Sequence, residues 1–140
     1  MVEISALINS VIHHIGIGVQ NSQDAEQFYD SLLVDYLGME KEIVQEASAG
    51  WKGRGTRVYL YRSNVDANAQ NLQHLAFTAR NRQEVETFPG WAKLKGIEVL
   101  SEPKEYPEYG GDYFAVFFQG PDKLKLELVH LSEVDGAIAL

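Results

Sequence analysis

Two imidazoles and one carboxylate stand where they could share a divalent cation. On one segment His14, Gly16 and Gly18 alternate with Ile15, Ile17 and Val19; on another His74, Ala76 and Thr78 alternate with Leu75 and Phe77. Side chains of a strand point alternately to opposite faces. Each segment therefore offers a histidine followed by small residues on one face, which leaves the room a cavity needs, and an apolar set on the other. In a third segment Leu124, Leu126 and Leu128 form the apolar face, and Glu127 shares the opposite face with Lys125 and Val129. A carboxylate in such a strand is costly to bury unless something pairs with it, and a bound cation would. Two histidines and one carboxylate on one side of a metal leave coordination positions open. Such a set favours Fe or Mn, with Zn, Ni or Co as alternatives. The plainer assignment is a pair of hydrogen-bonded core histidines, with Glu127 paired to Arg57 or Lys125. His13 and His130 fall on the opposite faces by alternation and are expected to be surface or packing residues.

What must position these groups is a repeat. Residues 14–28 and 74–88 align without a gap at an offset of 60, with identities at His14/His74, Asn21/Asn81, Gln23/Gln83, Glu26/Glu86 and Phe28/Phe88; ordinary residue usage gives about one by chance. After a two-residue slip, Gly38, Met39 and Glu40 lie over Gly96, Ile97 and Glu98. Each copy predicts a strand (12–19 and 72–79) followed by a helix with acids in its first turn, where they suit the helix dipole. In copy one, Asn21 and Ser22 offer the N-cap. Ala25, Phe28, Leu32 and Leu33 give helical spacing there, as do Val85, Phe88, Ala92 and Leu94 in copy two. Pro89 is expected to kink or delay the second helix, and Gly38 and Gly96 to close the two helices. Three strands should follow in each copy: 41–45, a short piece near Trp51 and 56–62, then 97–100, 113–118 and 124–130. Turns are expected at Gly53, Arg54 and Gly55 and at Gly120, Pro121 and Asp122. The fold class is therefore α+β, two tandem βαβββ modules forming a curved, mostly antiparallel sheet around a metal cavity. Residues 1–140 read as a single domain, with module one at about 11–63, a polar linker at about 64–71 and module two at about 72–131.

The whole chain narrows the partners. Its net charge of -8 with scattered Lys and Arg gives no general attraction for nucleic acid or anionic membrane, so a small molecule is the expected partner. No apolar run approaches the ~20 residues of a membrane span. The start of the chain lacks the basic flank of a secretory signal, so the cytoplasm is the expected location. There is no cysteine, which excludes disulfides and thiolate chemistry.

The stretches HHIGIGVQNSQDAEQFYDSLLVDYLGME, LQHLAFTARNRQEVETF and FFQGPDKLKLELVH resemble the vicinal oxygen chelate superfamily, which includes glyoxalase I, extradiol dioxygenases, fosfomycin-modifying enzymes and bleomycin-resistance proteins. The resemblance implies paired βαβββ modules around a metal cavity and carries ligand roles onto His14, His74 and Glu127. It places a fourth family ligand, usually Glu, where Tyr59 stands, which argues against a glyoxalase I. Gly16 stands where fosfomycin-modifying enzymes have threonine. The function implied is a metal-dependent enzyme, dioxygenase-like or lyase-like, acting on a small substrate that chelates the metal through adjacent oxygens. Tyr59 and Arg57 are the candidate catalytic residues, the first as hydrogen-bond partner or proton donor and the second to hold an anionic group. Tyr106, Tyr109 and Tyr113, around a pair of glycines, are candidate substrate-binding residues on a lid; the plainer alternative is an aromatic-rich loop that clamps the sheet. The alternative is a non-catalytic small-molecule binding or sequestering protein of the bleomycin-resistance type. Many members of the superfamily are dimers, so a homodimer is expected.

Overall fold

A computed structural model describes residues 12–63, 72, 74–109 and 112–131. The expected linker at 64–71 and the pair Gly110 and Gly111 lie outside the described residues. The chain divides into two compact units, Met1–Gln70 and Asn71–Leu140.

In the first unit, β1 (Ile15–Val19) leads into α1 (Ser22–Tyr29), which continues as a π-helical segment (Asp30–Tyr36) before β2 (Glu40–Glu42), β3 (Ala49–Gly53) and β4 (Thr56–Arg62). The strands form a four-stranded sheet in the order β1-β4-β3-β2, with β1 parallel to β4 and the other pairs antiparallel. Ile17 and Val19 are buried while Gly16 and Gly18 are exposed, as alternation demands. The Asn21 side chain accepts from the Asp24 amide at 3.0 Å, satisfying one of the orphan donors at the helix start. The π-helical segment explains the two-residue slip in the repeat. Its i→i+5 bonding fits roughly one more residue into a turn than α-helix does, so the longer first copy still delivers Gly38 (φ 75°) directly after its C-cap, Leu37. Tyr29, not Phe28, is fully buried beside Ala25, Leu32 and Leu33.

The second unit repeats the order: β5 (His74–Thr78), α2 (Arg82–Lys95), β6 (Val99–Glu105), β7 (Phe114–Gln119) and β8 (Lys125–His130). The sheet order is β5-β8-β7-β6, again with only the β5–β8 pair parallel. Both units are thus βαβββ, and the class is α+β. The Asn81 side chain caps α2 by accepting from the Glu84 amide at 2.8 Å. Gly96 ends the helix at φ 73°, with the Ile97 amide reaching back to the Ala92 carbonyl at 2.9 Å in the manner of a Schellman cap. Three expectations are corrected here. The helix runs through Pro89 instead of being delayed by it, and Leu94 is 85 % exposed because Val85, Phe88 and Ala92 already fill the inward stripe. The strand expected at 97–100 is longer and later, running to Glu105, with bulges against β7.

Candidate metal centre and the residues around it

Strand register makes the candidate residues of the two units comparable. Tyr59 of β4 pairs with Gly16 of β1, and Glu127 of β8 pairs with Ala76 of β5. Since Gly16 and Ala76 are repeat mates, Tyr59 occupies in the first sheet the position of Glu127 in the second.

In the second unit the structure brings His74 and Glu127 together. His74 opens β5 and is exposed; Glu127 is 1 % exposed, the one charged side chain in the core of the described residues. His74 Nε2 lies 3.4 Å from Glu127 Oε1, and the Tyr113 hydroxyl donates to Glu127 Oε2. Lys125 stands over the Phe117 ring at 4.6 Å instead of pairing with it, and within the first unit Arg57 Nε lies 3.3 Å from Glu42. Glu127 thus sits against a small apolar cluster of Tyr106, Ala115 and Val129, flanked by Tyr113 and Phe117, on the face away from α2. Burial, and then the adjoining Glu127 carboxylate, which would repel a phenolate, push Tyr113 well above the ordinary tyrosine pKa,.

The pair has the spacing a metal asks for. Two ligands at about 2.1 Å on neighbouring positions of one ion lie roughly 3.0–3.4 Å apart, which matches the separation of His74 Nε2 and Glu127 Oε1. Each unit taken by itself gathers fewer than three His, Asp or Glu side chains placed to hold a metal among the described residues.

In the first unit His14 is exposed and precedes β1. Its ring stacks on Tyr59, centroids 5.0 Å apart and planes 27° apart. Because the strand begins only at Ile15, alternation does not reach His13. That residue is not on an opposite face: its Nδ1 lies 3.0 Å from His14 Nδ1, and its Nε2 lies 3.3 Å from the Arg57 guanidinium. A guanidinium only donates. His13 Nε2 therefore accepts, its Nδ1–H donates to His14 Nδ1, and neutral His14 carries its proton on Nε2. His14 can take a cation at Nε2 only if this chain reverses, at the expense of the Arg57 contact. The small residues of β1 do not open a cavity either. A Cβ at Gly16 would meet the Tyr61 ring at 3.0 Å, and one at Gly18 would meet Ser63 at 3.1 Å. Arg57 also lines a cavity of about 360 Å³ with Gly38, Glu40, Lys52, Gly53 and Thr56.

The three loop tyrosines pack on one another. Tyr106 is buried, stacks on Tyr109 at 5.5 Å and approaches Ser101 Oγ at 3.3 Å, and Tyr109 meets Tyr113 at 5.1 Å. Only Tyr109, 59 % exposed, offers an open ring. The Tyr113–Glu127 bond was not anticipated from sequence. The available signal was parity: Tyr113, Ala115 and Phe117 share the face of Glu127, given that Phe117 pairs with Glu127.

Comparison with known proteins agrees with this architecture. The profile of the Glyoxalase/Bleomycin resistance protein/Dioxygenase superfamily matches residues 11–128, and the chain belongs to that superfamily. The uncharacterized protein YqjT of Bacillus subtilis is 30% identical over 133 residues, covering 84% of this chain and 97% of that protein. Among solved structures, a candidate glyoxalase from Bacillus halodurans superposes with a TM-score of 0.71 at 24% identity, covering 89% of this chain and 98% of that one. A glyoxalase/bleomycin resistance protein from Albidiferax ferrireducens gives 0.69 at 20% identity, covering 87% and 100%. At these identities the two structures speak for the fold alone.

Proposed function

We propose that this protein is a metal-dependent enzyme acting on a small substrate that presents two adjacent oxygens, with His14, His74 and Glu127 as the ligands of one divalent ion, Fe or Mn in preference to Zn, Ni or Co. The observation that carries the proposal is a buried carboxylate with its Oε1 aimed at an exposed imidazole, 3.4 Å from Nε2. The ion would supply Lewis-acid stabilisation of charge developing on a substrate oxygen. This chain's own residues supply the rest. The Tyr59 hydroxyl can donate to bound substrate, Arg57 can hold an anionic group, and the open ring of Tyr109 can stack on an aromatic one. Tyr59 in place of a fourth, carboxylate ligand argues for dioxygenase-like or lyase-like chemistry over that of glyoxalase I. The same proposal takes the protein as a cytoplasmic homodimer. No helix among the described residues is long and apolar enough to cross a membrane.

A second reading has its own support. Tyr113 and His74 already meet both carboxylate oxygens of Glu127, so the fold does not require a cation to offset the buried charge. That arrangement suits a metal-free binding or sequestering protein of the bleomycin-resistance type. Metal analysis by mass spectrometry of protein purified without chelator separates the two. The enzyme reading expects about one ion per chain, lost in His74→Ala and Glu127→Gln. Metal-free protein that still binds an aromatic ligand would replace it with the second reading.

A further inference from the structure

We propose that Tyr113 is a positioning residue that engages one oxygen of Glu127 and leaves the other facing His74, so that Glu127 binds its ion through Oε1 alone. The proposal rests on the metal reading above and assigns a role to the tyrosine loop other than contact with substrate.

The hydroxyl of Tyr113 donates to Glu127 Oε2, and a hydroxyl has one proton to give. While that bond stands, Oε2 is engaged and Tyr113 has no proton for a substrate. The hydroxyl is held from behind. The Tyr106 amide donates to the Tyr113 carbonyl at 2.9 Å, and the Tyr106 and Tyr109 rings flank the Tyr113 ring at 6.1 and 5.1 Å. Tyr106 is itself fixed by burial and by Ser101. Side chains with two rotatable bonds, packed edge to face, hold position at low entropic cost. Tyr106, Tyr109 and Tyr113 therefore act together on Oε2 of the carboxylate, and Oε1 stands at ligand spacing from Nε2. One-oxygen binding keeps a further coordination position open for substrate. Outer partners of this kind typically carry about 10- to 100-fold in metal affinity.

Co(II) titration of the full chain, followed by its visible spectrum, tests this, with circular dichroism confirming that each variant is folded. The expected result is one Co(II) per wild-type chain, and for Tyr113→Phe an affinity about 10- to 100-fold lower with an altered d–d spectrum, because the carboxylate is no longer held in one orientation. In a Glu127→Gln background, Tyr113→Phe should add nothing. Should Tyr113→Phe not fold, the infrared difference spectrum of cobalt-loaded against metal-free wild type still decides. A wide separation of the carboxylate stretches marks one-oxygen binding; a narrow one overturns the proposal. Unchanged affinity and spectrum in Tyr113→Phe overturn the positioning role and leave the metal reading standing. Absence of Co(II) binding by the wild type overturns both.

Discussion

Glu127 is where the chemistry concentrates. A carboxylate 1 % exposed survives in a core only with partners, and here a phenol and an imidazole take one oxygen each. The first unit answers with a tyrosine at the matching register position, so two similar frames carry different chemistry. In the proposed ligand set His14 stands apart, since the donor-only guanidinium of Arg57 directs its proton onto Nε2 through His13. Arg57→Met removes that constraint and lets His13 accept from His14 Nδ1–H. If His14 is a ligand, Mn(II) affinity should rise several-fold in Arg57→Met, by roughly 1 kcal/mol, the net worth of the hydrogen bond no longer given up, read by calorimetric titration; an unchanged or weaker affinity would take His14 out of the set. The strand faces of His74 and Glu127 were legible in sequence because strand parity and the repeat determine them, and the place of Tyr59 followed from the family resemblance. The contacts of His13 and Tyr113 were not, because one lies ahead of the strand, beyond the reach of alternation, and the other depends on how a loop returns.

Elements follow the repeat closely and depart from it for local reasons. Both helices start at a capping asparagine and end on a left-handed glycine, and these were readable from residue type alone. The π-helical segment was not, since nothing in apolar spacing distinguishes it from α-helix; the two-residue slip was its only trace. Matching residues are also not equally buried. Phe88 is fully buried against Phe118 at 4.4 Å, so Phe88→Ala should cost about 3–5 kcal/mol, while the exposed Leu94→Ala should change stability by less than about 0.5 kcal/mol. Urea unfolding of the two variants checks the contrast, and equal costs would contradict the burial pattern. On the other unit, Lys41 of β2 binds Glu26 and Asp30 of the first helix. Partial desolvation works against its charge, but the two carboxylates outweigh it and raise its pKa. Its contribution is therefore present below the ordinary lysine pKa and is lost as pH rises through the raised value. Lys41→Met should flatten the alkaline limb of stability against pH, and an unaltered limb would show the pair to be inert.

At the scale of the whole molecule, the fold was the most legible property and the activity the least. Two βαβββ units could be read from one repeat because each unit's apolar faces, caps and turns agree with one another. Function does not follow from that agreement, as one superfamily holds enzymes and binding proteins alike. What separates them in this chain is whether the His74–Glu127 pair holds an ion or is complete without one. The most direct measurement is Mn(II) titration followed by the electron paramagnetic resonance of the free ion. The proposed function predicts loss of the free signal at one Mn(II) per chain, with affinity at least about tenfold weaker in Glu127→Gln. A free signal that grows in proportion to added Mn(II), identical in wild type and Glu127→Gln, would contradict it.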